Sequence, residues 1–339
     1  MQRSSVGIAE IVHWDNLARA FHKAALGRRG RGDVEAFRAN LERELAQLQL
    51  DLMRGSVAVG RMRLFTIRDP KLRTIHAPCF RERVLHHAIM ARVGPVLDRT
   101  LVFDTYACRE GKGTLAAVQR ASHHARYHVW HAQIDIRAYF ASIDHEVLLR
   151  LLGRKLKNSA LLDLLARIVG AYEAAPGKSL PIGALTSQHL ANFYLGGADR
   201  VLLETSRVAG FVRYMDDLVW WADNRAIARR ALVRVRNYLA DELKLEVKQP
   251  VRIARSRDGL SFCGFRILPD RILLSRRRKE RYMTIRRSWE HACLEGHIGA
   301  AALQSGYASA LALTVHAEAK AWRRTELARR PVDPALEEL

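Results

Sequence analysis

Cysteine is scarce in this sequence: Cys79, Cys108, Cys263 and Cys293 are the only four, and no two form a C-x-x-C pair. The N-terminus shows no apolar signal core, so reduced intracellular thiols are the expectation. Histidine is plentiful, with pairs at His86-His87 and His123-His124, but no ligand set has zinc spacing. These histidines read as nucleic-acid-facing or core residues. No apolar run is long enough to span a bilayer and no amphipathic anchor stands out, so no membrane role is expected. There is no internal repeat and no long low-complexity linker. Acidic residues are also in short supply, 35 against 56 Lys and Arg, for a net charge of +21. A charge of that size costs self-repulsion and implies a polyanionic partner. At 339 residues the chain can bury a sizeable core over about two domains.

Along the chain, Trp14, Leu17, Ala18, Phe21 and Ala25 recur at helical spacing, with Asp15 as a cap. A second helix from near Asp33 carries Phe37, Leu41, Leu45, Leu48 and Leu52 on one face. The period then changes. Met62, Leu64, Phe65 and Ile67 lead into Asp69-Pro70-Lys71 and on to Leu72, Arg73, Thr74 and Ile75, which reads as a hairpin with a Pro-containing turn. Arg63, Arg68, Lys71 and Arg73 make it a flap over phosphates or simply a solvated basic face. Residues 80–93 read as a helix stopped by Gly94-Pro95. Gly111-Lys112-Gly113-Thr114 lacks the Walker spacing. It reads either as a phosphate-holding turn at a helix N-terminus or as an ordinary turn with Thr114 as N-cap.

Residues 129–136 read as a strand with Asp135 at its end, and Asp144 as the cap of a helix to about residue 156. A helix is expected over about 186–204, and another over about 225–243. Strands are expected over 245–253 and 260–268, and helices dominate beyond a basic stretch over 270–287. Between the helices at 204 and 225 lies Phe211-Val212-Arg213-Tyr214-Met215-Asp216-Asp217-Leu218-Val219-Trp220-Trp221. Two apolar, β-prone runs flank two acids, which reads as a hairpin with the acids at its tip. Asp-Asp is a poor hairpin turn, because the favoured turns want Asn-Gly or Asp-Gly and like charges repel. A divalent cation would remove that cost; a solvated acidic turn is the plainer alternative. One Asp at a strand end, two in a hairpin and basic segments on both sides make a toolkit for phosphoryl transfer on a polynucleotide. Two Mg²⁺ about 3.5–4 Å apart would clamp the attacking and leaving oxygens.

The order and wording resemble reverse transcriptases from about Trp14 to Leu274. Asp135-Ile136-Arg137-Ala138-Tyr139-Phe140 resembles the family's first catalytic motif, Tyr214-Met215-Asp216-Asp217 its signature hairpin, and Phe262-Cys263-Gly264-Phe265 its primer-gripping glycine loop. Ile182-Gly183-Ala184-Leu185-Thr186-Ser187-Gln188 is similar to the wording of diversity-generating retroelement enzymes, as are residues 80–87 and 103–114. The resemblance implies an α+β right-hand polymerase: fingers with N-terminal helices over 1–128, palm over 129–270 including finger–palm helices 144–175, and a short helical thumb with C-terminal helices over 271–339.

It further implies site roles. Asp135, Asp216 and Asp217 would be catalytic, and with the carbonyl of Ile136 would hold two Mg²⁺, with Mn²⁺ as a substitute. Arg73, with Lys71 as its rival, would clamp the triphosphate. Phe140 would be the steric gate against a ribose 2′-OH, and Ile182, Gly183, Ser187 and Gln188 would line the base-pair pocket. Lys248 is the nearest candidate for the family's lysine beyond the hairpin. Tyr214, Met215, Gly111, Lys112, Gly264, Arg276, Arg277 and Arg278 would meet primer and template. The implied activity is RNA-directed DNA synthesis, with template RNA, nascent cDNA, dNTPs and a small basic accessory protein as partners, in a bacterial or phage-encoded cytoplasmic protein. A retron-like or phage-defence enzyme and an inactive RNA-binding protein with this fold are the alternatives. No RNase H, maturase or endonuclease segment is expected.

Overall fold

The computed structural model describes residues 3–68 and 72–332. The N-terminal part is helical: α1 (Ile8–Val12), α2 (Trp14–Ala25), α3 (Gly32–Ala39) and α4 (Leu41–Met53). The β1 (Met62–Arg68) and β2 (Leu72–Pro78) hairpin follows, then α5 (Phe80–Asp98) and α6 (Thr114–Tyr127). Next come β3 (Trp130–Ile134), α7 (Tyr139–Ser142), α8 (His145–Gly153), α9 (Ser159–Gly170), α10 (Leu185–Tyr194) and α11 (Gly196–Arg200). The hairpin β4 (Gly210–Tyr214) and β5 (Asp217–Ala222) leads to α12 (Arg225–Asp241) and β6 (Arg252–Arg255). A small sheet, β7 (Leu260–Phe262), β8 (Phe265–Ile267) and β9 (Ile272–Leu274), precedes α13 (Arg276–Leu294), α14 (Ala300–Ala312) and α15 (Lys320–Arg329). Among the described residues no helix is long and apolar enough to cross a membrane.

The central sheet is antiparallel in the order β4-β5-β3-β6. It is covered on both faces, which explains why β5 is apolar almost throughout rather than alternating. Leu218, Trp220 and Ala222 pack into the main core with the helices, α12 among them, while Val219 and Trp221 face a second cluster with α6 and Phe262, Phe265 and Ile267. The central sheet is thus set between two cores.

Several elements depart from the sequence expectations. The helix at 80–93 is not stopped by Gly94-Pro95; α5 continues to Asp98. An internal proline costs about 3 kcal/mol, and burial of Val96 and Leu97 in the main core offsets it. The helix from Asp33 breaks at Asn40 into α3 and α4. The helix expected over 186–204 divides at Leu195 into α10 and α11 and ends in a π-helical turn, Val201–Thr205. The strand expected over 245–253 is reduced to an isolated bridge at Val247 and to β6, because Pro250 has no N–H to donate to a ladder. The run at 260–268 is a hairpin, not one strand. Cys263 and Gly264 form its two-residue turn with φ of 48° and 80°, the positive values such turns demand. Asp15 lies inside the first turn of α2 behind the N-cap His13, and Gly113, not Thr114, is the N-cap of α6. Asp144 does cap α8, accepting from the Val147 amide at 3.0 Å, and that helix ends at Gly153.

His124 and His131 are core residues, and burial pushes each down to about 4. Both rings are therefore neutral when folded and take up protons near 6.5 when unfolded. The unfolded state binds more protons between those values, so stability is full above about pH 6.5 and is lost as pH falls toward 4. By pH 5 the loss is on the order of 2 kcal/mol per ring. The two raised carboxyls of Asp216 and Asp217 oppose this loss over the same window, so the check is a comparison: from pH 7 to pH 5 the urea midpoint of His131→Leu is expected to fall less, or rise more, than that of the wild type. Equal changes would contradict the assignment.

Candidate active site

The register of the central sheet gathers the acids. Ile134 of β3 lies opposite Leu218 of β5, so one step further Asp135 comes level with Asp217. Tyr214 pairs with Asp217, leaving Met215 and Asp216 as the two-residue turn. Met215 takes the positive φ of 56° that such a turn requires, uncommon for a residue with a side chain. Asp216 is thus the tip and Asp217 the first residue of β5. Beyond β3 the chain keeps pairing: Lys248 N donates to Asp135 O at 2.9 Å, and Ile136 bridges Val247.

The carboxylates crowd one another. Burial pushes Asp216 up to about 6, and the neighbouring charge of Asp135, with which it is in hydrogen-bonding contact, adds to the shift. Burial pushes Asp217 up to about 7, against the opposing amide of Gln133, whose Nε2 donates to Asp217 Oδ1 at 2.9 Å. Lys248 Nζ bonds Asp135 Oδ2 at 2.9 Å, and that bond raises the lysine. A cavity of about 540 Å³ opens over this group, lined by Arg73, Asp135, Arg137, Asp216, Glu246 and Lys248, with Ile136 in its wall.

Among the described residues no three His, Cys, Asp or Glu side chains are grouped to hold a metal ion. Two acids, Asp135 and Asp216, line the cavity together, with Asp217 behind them on Gln133. Mg²⁺ favours one or two carboxylates plus substrate phosphates. Two acids held together, with Asp216 pushed up by burial and by its neighbour and basic side chains opposite, fit that preference.

A family model described as reverse transcriptase (RNA-dependent DNA polymerase) matches residues 68–266, more than half of the chain. The chain belongs to the reverse transcriptase family. Its mixed helix-and-sheet architecture is the polymerase fold of that family. It is 22% identical over 254 residues to Protein YkfC of Escherichia coli, covering 59% of this chain and 64% of that protein. It is 20% identical over 129 residues to the COX1/OXI3 intron 2 protein of Saccharomyces cerevisiae, covering 36% of this chain and 15% of that one. The chain therefore spans less than two thirds of either relative. Among solved structures it is similar to the apo telomerase of Candida tropicalis truncated from its C-terminal domain, with a TM-score of 0.46, 11% identity, and 65% and 56% of the two chains covered.

The other residues expected at a reverse transcriptase site fall into two groups. Arg73 on β2 lines the carboxylate cavity, and its charge lowers Asp216. Lys71 lies outside the described residues. The loop before α10 docks on the same β2 strand: His76 N donates to Ile182 O at 2.8 Å. Gly183 follows with a φ of 120°, and a Cβ there would stand 2.8 Å from Ile75 Cγ2. Phe140 in α7 is half-buried, and its carbonyl accepts from Leu180 N at 2.8 Å, tying it to that loop. Ser187 is buried in the first turn of α10, while Gln188 is exposed.

The second group stands apart from the cavity lining. Lys112 is folded onto its own loop, donating to Phe103 O at 2.9 Å with its ammonium 3.4 Å from the centre of the Phe103 ring. Gly111 opens that turn with a φ of 69°. The Tyr214 hydroxyl accepts from Thr114 Oγ1 at 3.1 Å. Arg278 stacks on Phe265 at 4.0 Å and donates to Leu313 O, and its Nε lies 2.8 Å from where a Cβ of residue 264 would sit. Arg276 is exposed and pairs with Glu280, and Arg277 follows it in the first turn of α13.

Sequence reasoning missed Arg137 and Glu246 at the cavity, Gln133 on Asp217, and the wholly buried Arg213. Only Arg213 carried a signal: a lone cation in an otherwise apolar strand.

Proposed function

We propose that this protein copies an RNA template into DNA, and that it does so as the polymerase of a diversity-generating retroelement. The observation that carries the first part is the meeting of Asp135 and Asp216 above a basic-walled cavity in a chain of the reverse transcriptase family. Asp135 and Asp216, with Asp217 and the Ile136 carbonyl beside them, would hold two Mg²⁺, which when bound supply charge neutralisation at the attacking and leaving oxygens. The chain's own residues do the positioning. Arg73 and Lys248 face the cavity from opposite elements and bind the triphosphate as counter-charges. Gln133 holds Asp217 in one orientation by its amide. Phe140, next in the chain to Tyr139 of the cavity lining, would exclude a 2′-OH and so select deoxynucleotides. The net charge of +21 suits a protein that holds template RNA and nascent cDNA through their phosphates.

The subclass rests on Ile182. An aliphatic side chain stands where many relatives are expected to offer an amide, so one hydrogen bond to the base pair is missing, worth about 1 kcal/mol. Low fidelity follows, with errors concentrated at template adenines. Ile182→Gln is expected to lower misincorporation about fivefold, as that energy corresponds to. Sequencing of cDNA from both proteins on one template measures it, and unchanged error rates would refute the pocket argument. A template-repeat RNA and a small basic accessory protein are the partners this reading requires.

The deciding experiment is extension of a primed RNA template with dNTPs and Mg²⁺, repeated with structured RNA and the accessory protein added. Product that depends on Mg²⁺ is the expected result. RNA binding without synthesis under all of these conditions would replace the polymerase with an RNA-binding protein.

A further inference from the structure

The wholly buried Arg213 on β4 uses every one of its N–H donors. Nε and Nη2 bond the two oxygens of Asp199 at 2.7 Å each. Nη1 bonds Asn192 Oδ1 at 2.8 Å and Nη2 the Asn192 carbonyl at 3.0 Å. The fifth donor, again from Nη1, reaches the carbonyl of Met215 at 3.0 Å. The acceptors are themselves tied down. Asp199, also wholly buried, accepts from Thr105 Oγ1 at 3.0 Å, and Asn192 Nδ2 donates to Ala107 O at 2.7 Å. The backbone of residue 213 adds two bonds to the same segment, Arg213 N to Asp104 O and Tyr106 N to Arg213 O, both 2.9 Å. One guanidinium thereby joins β4, α10, α11 and the stretch before α6.

An ion pair of this kind is a poor way to stabilise a fold, since well-packed apolar residues of like volume do as well or better. Its distinctive member is the bond to Met215. That residue has a φ of 56° and immediately precedes Asp216. Residues in sparsely populated backbone regions persist where their surroundings over-determine them. We propose that Arg213 is a positioning residue: its fifth donor fixes the Met215 carbonyl, so that the left-handed turn presents the Asp216 carboxylate to Asp135. Asp199 and Asn192 hold the guanidinium in the plane that makes this reach. The inference rests on the polymerase reading of the two acids.

Three variants test it. Arg213→Lys keeps the charge but replaces the rigid fork with a point charge that cannot serve Asp199, Asn192 and Met215 together. Arg213→Met with Asp199→Leu removes the pair as a unit and leaves no lone buried charge. Asn192→Ala leaves the ion pair whole and loosens one side. Leu165→Ala, in the buried face of α9, is the control for mere loss of stability. The readouts are Mn²⁺ binding by calorimetry, and kcat and dNTP KM on primed RNA.

Folded Arg213 variants are expected to lose about 10–100-fold in Mn²⁺ affinity and in kcat, as residues behind a metal's ligands do. Asn192→Ala should fall in the same direction by less, and dNTP KM should hardly move. Leu165→Ala should melt lower yet keep both values. Wild-type Mn²⁺ affinity and kcat in every variant that folds would overturn the proposal, as would losses that merely track melting temperature through Leu165→Ala. Failure of the wild type to make DNA would sink the polymerase reading instead, and the Mn²⁺ comparison would still decide the role of Arg213.

Discussion

Asp216→Ala is expected to remove primer extension by roughly 10³-fold or more, the scale of the several kcal/mol that metal-held charge stabilisation supplies. The conservative Asp216→Asn should be as inactive and yet melt higher than the wild type in the presence of EDTA. The two effects share one cause. Asp216 is half-buried against Asp135, and its acid is pushed up to about 6 because its ionised form is desolvated and repelled. The folded chain carries that cost so that a cation can relieve it. A neutral amide of the same shape removes the repulsion together with the cation's reason to bind. A rise of about 1–2 °C per kcal/mol relieved is the size to look for in a chain of this length. Adding Mg²⁺ should stabilise the wild type and leave Asp216→Asn unchanged. Single-nucleotide incorporation and thermal melts, with and without metal, measure both. Retained synthesis, or an Asp216→Asn melting point below that of the wild type in EDTA, would remove Asp216 from the centre of the site.

Gly183→Ala is the second large effect. The loop carrying Ile182 lies against β2, and a Cβ at 183 would stand 2.8 Å from Ile75 Cγ2 and 3.1 Å from the His76 carbonyl. The φ of 120° adds backbone strain of about 1–3 kcal/mol for any residue but glycine. Either the loop or β2 must shift, and β2 carries Arg73 into the carboxylate cavity. Loss on the order of 10–100-fold in kcat/KM for dNTP is expected, since displacements of about 1 Å have that consequence. Gly177→Ala isolates the strain, because Gly177 also has a positive φ, 66°, but meets nothing within 4 Å. It should cost stability and spare dNTP use. Equal dNTP kinetics in the two variants would mean that β2 does not depend on the loop.

What could be read from the residues in order was whatever depends on neighbours in the chain. Two apolar runs around Asp216 and Asp217 specify a hairpin, and the apolar strand at 130–134 ends where Asp135 begins. Their common place at one end of a sheet then follows from pairing register alone. The motif wording indicated the family before any contact was seen. The expectations that failed did so where tertiary burial outweighed a local signal, as when Pro95 was carried inside α5 by the packing of Val96 and Leu97.

Tertiary structure alone decided which side chains answer the acids. Lys248 reaches Asp135 across 113 positions, Gln133 reaches Asp217 across 84, and β2 meets the Ile182 loop through a backbone bond from His76. Arg213 looks like an error in an apolar strand until Asp199, Asn192 and the Met215 carbonyl are brought around it. Local preference is written residue by residue in helical and strand periods. A buried charge is intelligible only once the distant groups that satisfy it have been packed into place, and packing is a property of the whole chain.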